Sequence, residues 1–495
     1  MLRSSVPEQA TKHLFVSLTV AVLVLLVVAS AGADPSKRRL GRAIDRIVDR
    51  PELAHAFWGI EVRSLGSGKT LYERNADKAF RPASTLKLVT TAAALDAFGP
   101  DARFRTTVET AGRLDGLGRI LGDVFLVGGG DPSLSGRFDD GPPTPAFETM
   151  VDALVAAGVR RIEGRLVGDE GAFSGERRGA DWAWEDLTWG YGAEVSALAF
   201  NDNVVHLTLV PGERPGDPAV LDVVPRTALV PVVSTVTTTA AGTEEDLALD
   251  KPAGSNRVLL SGALPRGGSW EGDVAVEDPA LFAATVFGEV LESRGIAVMG
   301  AVVTSSDPRP ADARVLATHD GVPLARLIEE VNTESQNLHA EMLLRLLGRH
   351  ASGEGSADKG HEAVAQFLER LEAPHAGWEL RDGSGLSRTN ILTPRGLAAL
   401  LVAMDRHPHA AVFRASLAVA GVSGTLEERM RDTPAAGRVL AKTGTLRRVN
   451  ALAGYVTTVR GERLAFAVLV NNQVELSGAA KDAIDAIAIT LATAR

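Results

Sequence analysis

The sequence predicts an α+β fold in which one antiparallel sheet flanked by helices is interrupted by a large β-rich insert. Short strand patterns stand near both ends of the chain, so a sheet can close by pairing the first hairpin with the last strands. Apolar positions at helical spacing accompany both sets of strands. Between them, from about Asp101 to Trp270, Val/Thr/Leu runs are broken by Gly and Pro. The 495 residues, 45% hydrophobic and 23% charged, suffice for two or three domains with cores of their own. The expected division is 1–33 as a signal peptide or anchor, 34–100 as the first part of the sheet-and-helix domain, 101–274 as the insert and 275–495 as the second part.

Taken in order, Leu14 to Ala29 is apolar, with Arg3 and Lys12 before it and the small residues Ala29-Ser30-Ala31 and Ala31-Gly32-Ala33 after it. This is the pattern of a secretory signal, with a mature chain starting near Gly32 or Asp34. An uncleaved anchor is the alternative, the run being near the short limit for spanning a bilayer. Both readings export the protein. Ala56 to Leu65 and Thr70 to Arg74 form strands around a Gly66-Ser67-Gly68 turn. Gly68-Lys69-Thr70 is a poor phosphate loop, because Arg63 stands where that pattern requires glycine.

Arg81-Pro82-Ala83 opens a helix through Leu86, Val89, Ala93 and Leu95, with Ser84 in its first turn. In the insert, Val204 to Val210, Ala228 to Thr239 and Arg257 to Leu260 have strand character, and Ile120 to Gly128 resembles Ile162 to Gly168. Helical patterns return at Pro279 to Ser293 and Leu324 to Leu347. The chain then closes with strands at Arg438 to Gly444, Ala451 to Val459 and Leu464 to Asn471, the last two joined by an Arg460-Gly461-Glu462 turn, and a helix from Gly478 to Ala494.

The absence of cysteine excludes disulfides and thiolate chemistry and most zinc-site patterns, which makes serine the nucleophile to look for. A formal charge of −10 disfavours a nucleic-acid partner, since phosphate binding needs clustered Lys and Arg.

Three short motifs then carry the chemistry: Ser84-Thr85-Leu86-Lys87, Ser335-Gln336-Asn337 and Lys442-Thr443-Gly444. At i and i+3 on a helix, Ser84 and Lys87 share a face, so the amine reaches the hydroxyl. Lys87 acts as a base only when neutral, which burial and a nearby cation such as Lys442 would favour. Ser335 and Asn337 precede an apolar helical pattern and also fit a helix cap. On a strand, alternation turns Lys442 and Gly444 to one side and Thr443 and Thr445 to the other. A second Ser-x-x-Lys, Ser356 to Lys359, lies in a Gly/Ser-rich stretch and is expected to be a solvated loop.

The motifs together are those of serine penicillin-recognising enzymes. With Gly128 to Leu134, Ser196 to Leu198, Asn201, Asn203, Asp382 to Arg388 and Gly424 to Leu426, the chain resembles the D-alanyl-D-alanine carboxypeptidase/endopeptidases of the penicillin-binding protein 4 type, from about Ala54 to Asn472. Ser84 and Ser335 lie about 250 residues apart, room for the insert and far more than a compact β-lactamase allows. One departure is Asn332-Thr333-Glu334 where that family often has lysine.

The resemblance implies a penicillin-recognising transpeptidase-like domain and a metal- and cofactor-free hydrolysis of peptidoglycan peptides through an acyl-serine, with β-lactams as inhibitors. It implies Ser84 as nucleophile, Lys87 as base, Ser335 as proton relay and Asn337 on the substrate amide. The backbone N–H groups of Ser84 and Thr445 would hold the oxyanion. Lys442, Thr443 and Thr445, with Gly444 admitting the substrate, would hold the terminal carboxylate. For a stem peptide bearing an ammonium and a carboxylate, Arg388 is the expected carboxylate partner and Asp186 the ammonium partner, walled by Trp184 and Tyr191. The alternatives are a β-lactamase or esterase using the same serine, and a wall sensor or scaffold that turns nothing over. Membrane contact is expected only through an uncleaved N-terminal segment.

Overall fold

A computed structural model describes residues 35–138, 141–474 and 478–494; the expected signal segment lies outside them. The sheet closes as the two ends of the sequence predict. Six antiparallel strands run in the order Ala418–Val419, Val439–Leu446, Val449–Thr457, Arg463–Asn471, Phe57–Ser64 and Thr70–Arg74. The closing contact pairs Phe57 with Asn471 and Ile60 with Val468.

Strand alternation gives this sheet two cores. Ala465, Ala467 and Leu469 face the helices Lys87–Phe98, Leu324–Thr333, Asn337–Ser352, Ala357–Arg370 and Pro394–Asp405. Leu464, Phe466, Val468 and Val470 face the helices Pro35–Val48 and Ala479–Ala492. The Lys87–Phe98 helix lies inside the first core, with Leu88, Val89, Ala92 and Leu95 fully buried. A helix packed on all sides fixes the position of whatever precedes it, and Ser84 precedes it directly.

The insert has a separate core and extends further than 274. The helix Pro279–Ser293, expected in the second part of the sheet-and-helix domain, packs Phe282, Ala283, Phe287 and Leu291 into the insert. Val302–Ser305 and Arg314–Asp320 complete the insert's five-stranded sheet, so its boundary falls near residue 320. The expected limit at 274 follows the return of helical periodicity, and that periodicity does not say which core a helix packs on. The resemblance between Ile120 to Gly128 and Ile162 to Gly168 is real in three dimensions: the segments pair in parallel, and residues 297–305 add a third copy. Their glycines stack so closely that a Cβ at Gly164 would lie 2.4 Å from Gly122 and one at Gly300 2.4 Å from the Gly164 carbonyl. Small β-sheets built on Val204–Val210 and Val258–Pro265 form the rest.

Two local expectations are corrected. Leu324 to Leu347 is not one helix: it breaks between Thr333 and Asn337, where Ser335 adopts a left-handed φ of 70°. Ser356 to Lys359 is not a loop. Ser356 caps the helix Ala357–Arg370 by accepting from the Lys359 N–H at 3.3 Å, and Val364, Phe367 and Leu368 bury the apolar face that follows.

Candidate active site

All three motifs converge at the edge of the sheet. Ser84 sits in a 3-10 turn, Ala83–Leu86, that leads straight into the Lys87–Phe98 helix. Ala83 before it is held at φ 48°, so strained backbone flanks both Ser84 and, at Ser335, the second motif. Each such residue costs on the order of 1–3 kcal/mol and persists because its surroundings hold it. Gly444 faces this turn, and a Cβ there would lie 2.8 Å from the Pro82 carbonyl and 3.1 Å from Ser84 N. Glycine in the third motif thus lets the sheet edge reach the nucleophile.

Lys87 is the centre of the arrangement. Its Nζ lies 2.9 Å from Ser84 Oγ, 2.6 Å from Asn337 Oδ1 and 2.8 Å from the Ser384 carbonyl. A charged amine would donate to all three. A neutral one donates to Asn337 and Ser384, which are pure acceptors there, and turns its lone pair to the Ser84 hydroxyl. Lys87 is fully buried, and burial brings its pKa down to about 7 against the opposing charges of Asp382 and Glu341. The expected help from Lys442 runs the other way. Lys442 is pushed well down by its own burial and by the Lys87 charge, with Glu334 opposing.

The second motif is not a simple cap. Gln336 is the cap residue, accepting from Leu338 N at 3.0 Å, which frees its neighbours for other work. Asn337 spans the cleft: Oδ1 accepts from Lys87, and Nδ2 donates to the Tyr191 carbonyl of the insert at 2.7 Å. Ser335 lines a cavity of about 370 Å³ with Glu334, Asn337, Tyr191, Arg137 and Asp273. In the third motif Lys442 is buried and donates to the Thr443 carbonyl at 3.1 Å, Thr443 bonds Thr425 Oγ1 at 2.9 Å, and Thr445 is exposed. Thr443 and Thr445 are thus directed differently from Lys442 and Gly444.

Arg388 and Asp186 are brought together, but not as separate free partners for a ligand. Arg388 Nη2 lies 3.2 Å from Glu185 Oε1 and 3.6 Å from Asp186 Oδ2. Asp186 also accepts from the Tyr191 hydroxyl at 3.4 Å, while Trp184 is largely exposed and makes no closed wall. Burial raises the Asp186 pKa against the pull of Arg388.

The loop Asp382 to Arg388 has a different principal role from the one its arginine suggested. Asp382 is buried and accepts from Gly385 N at 2.8 Å, Ser387 N at 2.6 Å, Asn390 Nδ2 at 2.8 Å and Trp182 Nε1 at 3.0 Å. These bonds shape the turn that carries the Ser384 carbonyl to Lys87. Glu341 and Arg345 were not anticipated. With Asn337 they stand at i, i+4 and i+8 on one helix, and an acid and a base at i, i+4 ordinarily read as a solvated pair. Their spacing in register with Asn337 was the available signal. Several other segments named from the sequence are joints between insert and sheet domain: Asp202 binds His339 Nε2 at 2.9 Å, and Asp131 holds Ser133, whose hydroxyl accepts from Val322 N at 3.1 Å.

The arrangement defines a serine acyl-transfer site: a hydroxyl on a buried, neutralisable amine, an amide clamp, and a second buried amine. The comparisons with known proteins agree. The chain belongs to the D-Ala-D-Ala carboxypeptidase 3 (S13) family, whose model matches residues 40–494. It is 37% identical to the D-alanyl-D-alanine carboxypeptidase of Actinomadura sp. (strain R39), over 96% of this chain and 89% of that one. It is 27% identical to the D-alanyl-D-alanine carboxypeptidase DacB of Haemophilus influenzae, over 83% of this chain and 85% of that one. The crystal structure of penicillin-binding protein 4 (dacB) from H. influenzae superposes with a TM-score of 0.78 at 25% identity, covering 90% of this chain and 98% of that one. The protein is therefore a serine peptidase of the penicillin-recognising fold, as its motifs imply.

Proposed function

We propose that Ser84 is the nucleophile of a D-alanyl-D-alanine carboxypeptidase that also opens peptidoglycan cross-links, with Lys87 as general base. The observation that carries this is the single short contact network of Lys87 with Ser84, Asn337 and Ser384. Neutral Lys87 takes the hydroxyl proton as Ser84 Oγ attacks the carbonyl of the penultimate D-alanine. The N–H groups of Ser84 and Thr445 receive the oxyanion. Ser335 passes the proton to the departing amine as the C–N bond breaks. Asn337 offers its remaining N–H to the substrate amide, while Lys442, Thr443 and Thr445 attract the terminal carboxylate. Neutral Lys87 then takes a proton from water as its oxygen attacks the ester carbon, and delivers it to Ser84 Oγ as the acyl C–O bond breaks, which restores the hydroxyl and the neutral amine. A β-lactam enters the same path and leaves an adduct that hydrolyses slowly.

Arg388, Asp186 and Tyr191 are proposed to meet the side chain of the stem peptide. A ligand carrying both charges would exchange the Arg388–Asp186 contact for one partner each, so the pair is shielded until the ligand arrives. Export to the periplasmic or extracellular wall, with membrane contact only through an uncleaved leader, is the setting this substrate requires.

The test offers monomeric pentapeptides and cross-linked dimers together to the full chain, with Ser84→Ala as control, and reads the products by mass spectrometry. Loss of one alanine, or conversion of dimers to monomers, in the wild type alone is expected. Arg388→Ala is expected to lower turnover of stem peptides about 10-fold or more while leaving penicillin acylation within about 3-fold. An equal effect on both would remove Arg388 from substrate recognition, and no turnover by the wild type would favour a wall-binding scaffold.

A further inference from the structure

Among the buried ionisable groups that the reaction steps do not use, Glu341 and Asp382 reach the general base through a single turn of chain. Glu341 is completely buried on the Asn337–Ser352 helix, one turn below Asn337. Its Oε1 accepts from Gly383 N at 2.9 Å and from Ser384 N at 2.8 Å. The carbonyl of that same Ser384 is an acceptor for Lys87 Nζ at 2.8 Å. From the other side, Asp382 Oδ1 accepts from Gly385 N at 2.8 Å, the N–H of the peptide whose carbonyl Lys87 uses. Two buried carboxylates therefore grip successive peptides of one tight turn, and the turn delivers one oxygen to the base.

We propose that Glu341 is a positioning residue for the general base: it fixes the Ser384 carbonyl against Lys87 and, beside Asp382, adds to the negative charge against which Lys87 must lose its proton. The proposal rests on Lys87 acting as the base.

Burying a carboxylate is costly unless its charge is met. Arg345, buried and one turn on, meets it in part, with Nη1 3.4 Å from Glu341 Oε2 and Nη2 committed to the Glu176 carbonyl at 2.8 Å. Besides Arg345, the charged or titratable groups around Glu341 are Lys87 and Asp382, with His361 beyond, its Nε2 3.4 Å from the Asp382 carbonyl. Burial and the Asp382 charge bring the Glu341 pKa up to about 7, close to that of Lys87. An ionised Glu341 favours charged Lys87, so removing the charge without removing the acceptor makes the base available at lower pH.

Two variants separate the two roles. Glu341→Gln keeps an oxygen for Gly383 and Ser384 but carries no charge. Its second-order rate of acylation by a fluorescent penicillin, measured against pH on the full chain, is expected to stay within about 10-fold of wild type at the optimum, with the acid limb moved down by about half a pH unit or more. Glu341→Asp keeps the charge but withdraws it from the turn, so a fall of about 10-fold or more with the limb in place is expected. A purely structural residue would lower both rates and move neither limb. Equal rates and unmoved limbs in both variants would overturn the proposal. If Glu341→Gln does not fold, an unimpaired rate in Glu341→Asp overturns it alone. A wild type that forms no adduct on Ser84 would instead refute the proposed reaction, a distinct result.

Discussion

Replacing Lys87 by methionine will lower acylation of Ser84 by penicillin about 10³-fold and abolish its pH dependence near neutrality. General-base removal costs about 10²–10⁴-fold in rate, and the other contacts of Lys87, an amide oxygen and a peptide carbonyl, supply no base in its place. In the wild type, with Lys87 titrating at about 7, the rate should rise about 10-fold per pH unit below that value and level off above it. The sign follows from the reactive form: the folded-state pKa lies below the ordinary 10.5, so the neutral amine accumulates as pH rises through about 7. Methionine fills nearly the same volume and carries no charge to desolvate, so the fold should survive. Two buried acceptors then lose a partner, a cost of about 1–3 kcal/mol each, set against the relieved burial of a cation. A variant that acylates with the wild-type profile would remove Lys87 from the reaction.

Substituting alanine for Gly385 will disrupt the site nearly as strongly from outside the three motifs. Gly385 has φ +84°, and a Cβ there would lie 2.0 Å from the Ala83 carbonyl and 3.1 Å from Ser84 N. The left-handed conformation alone costs alanine about 1–2 kcal/mol. The clash is with backbone, which no rotamer change relieves. Either the turn or the Ser84 peptide must move, and displacement near 1 Å of a reacting group is worth about 10²-fold in rate. Gly385→Ala is therefore expected to acylate about 10²-fold more slowly and to melt at lower temperature. Gly377→Ala is the control: its φ is +77°, but nothing lies within 4 Å. It should show the conformational penalty with wild-type acylation.

The reactive motifs were legible because their residue types are dictated by chemistry that any fold must present: a hydroxyl and an amine one turn apart, then a polar pair before an apolar helix. The closing sheet was legible because period-two alternation and the Arg460-Gly461-Glu462 turn are local signals. What escaped was everything decided by burial. Glu341 and Arg345 look like a surface pair until the helix is placed in the core, and Arg388 looks free until the insert brings Glu185 and Asp186 to it. The end of the insert escaped for the same reason, because Phe282 and Phe287 would suit either core by sequence. The break at Ser335 falls in the polar run Asn332 to Asn337, and the left-handed backbone there separates the two helices and carries the second motif into the cleft.

The most direct test of the account is the site of covalent capture. The full chain is incubated with penicillin, quenched in acid, digested, and its peptides are weighed by mass spectrometry beside Ser84→Ala. A single penicilloyl adduct on the peptide containing Ser84, absent in the variant, is the predicted result. An adduct on Ser335 or Ser356, or an adduct that persists in Ser84→Ala, would contradict the assignment of the nucleophile.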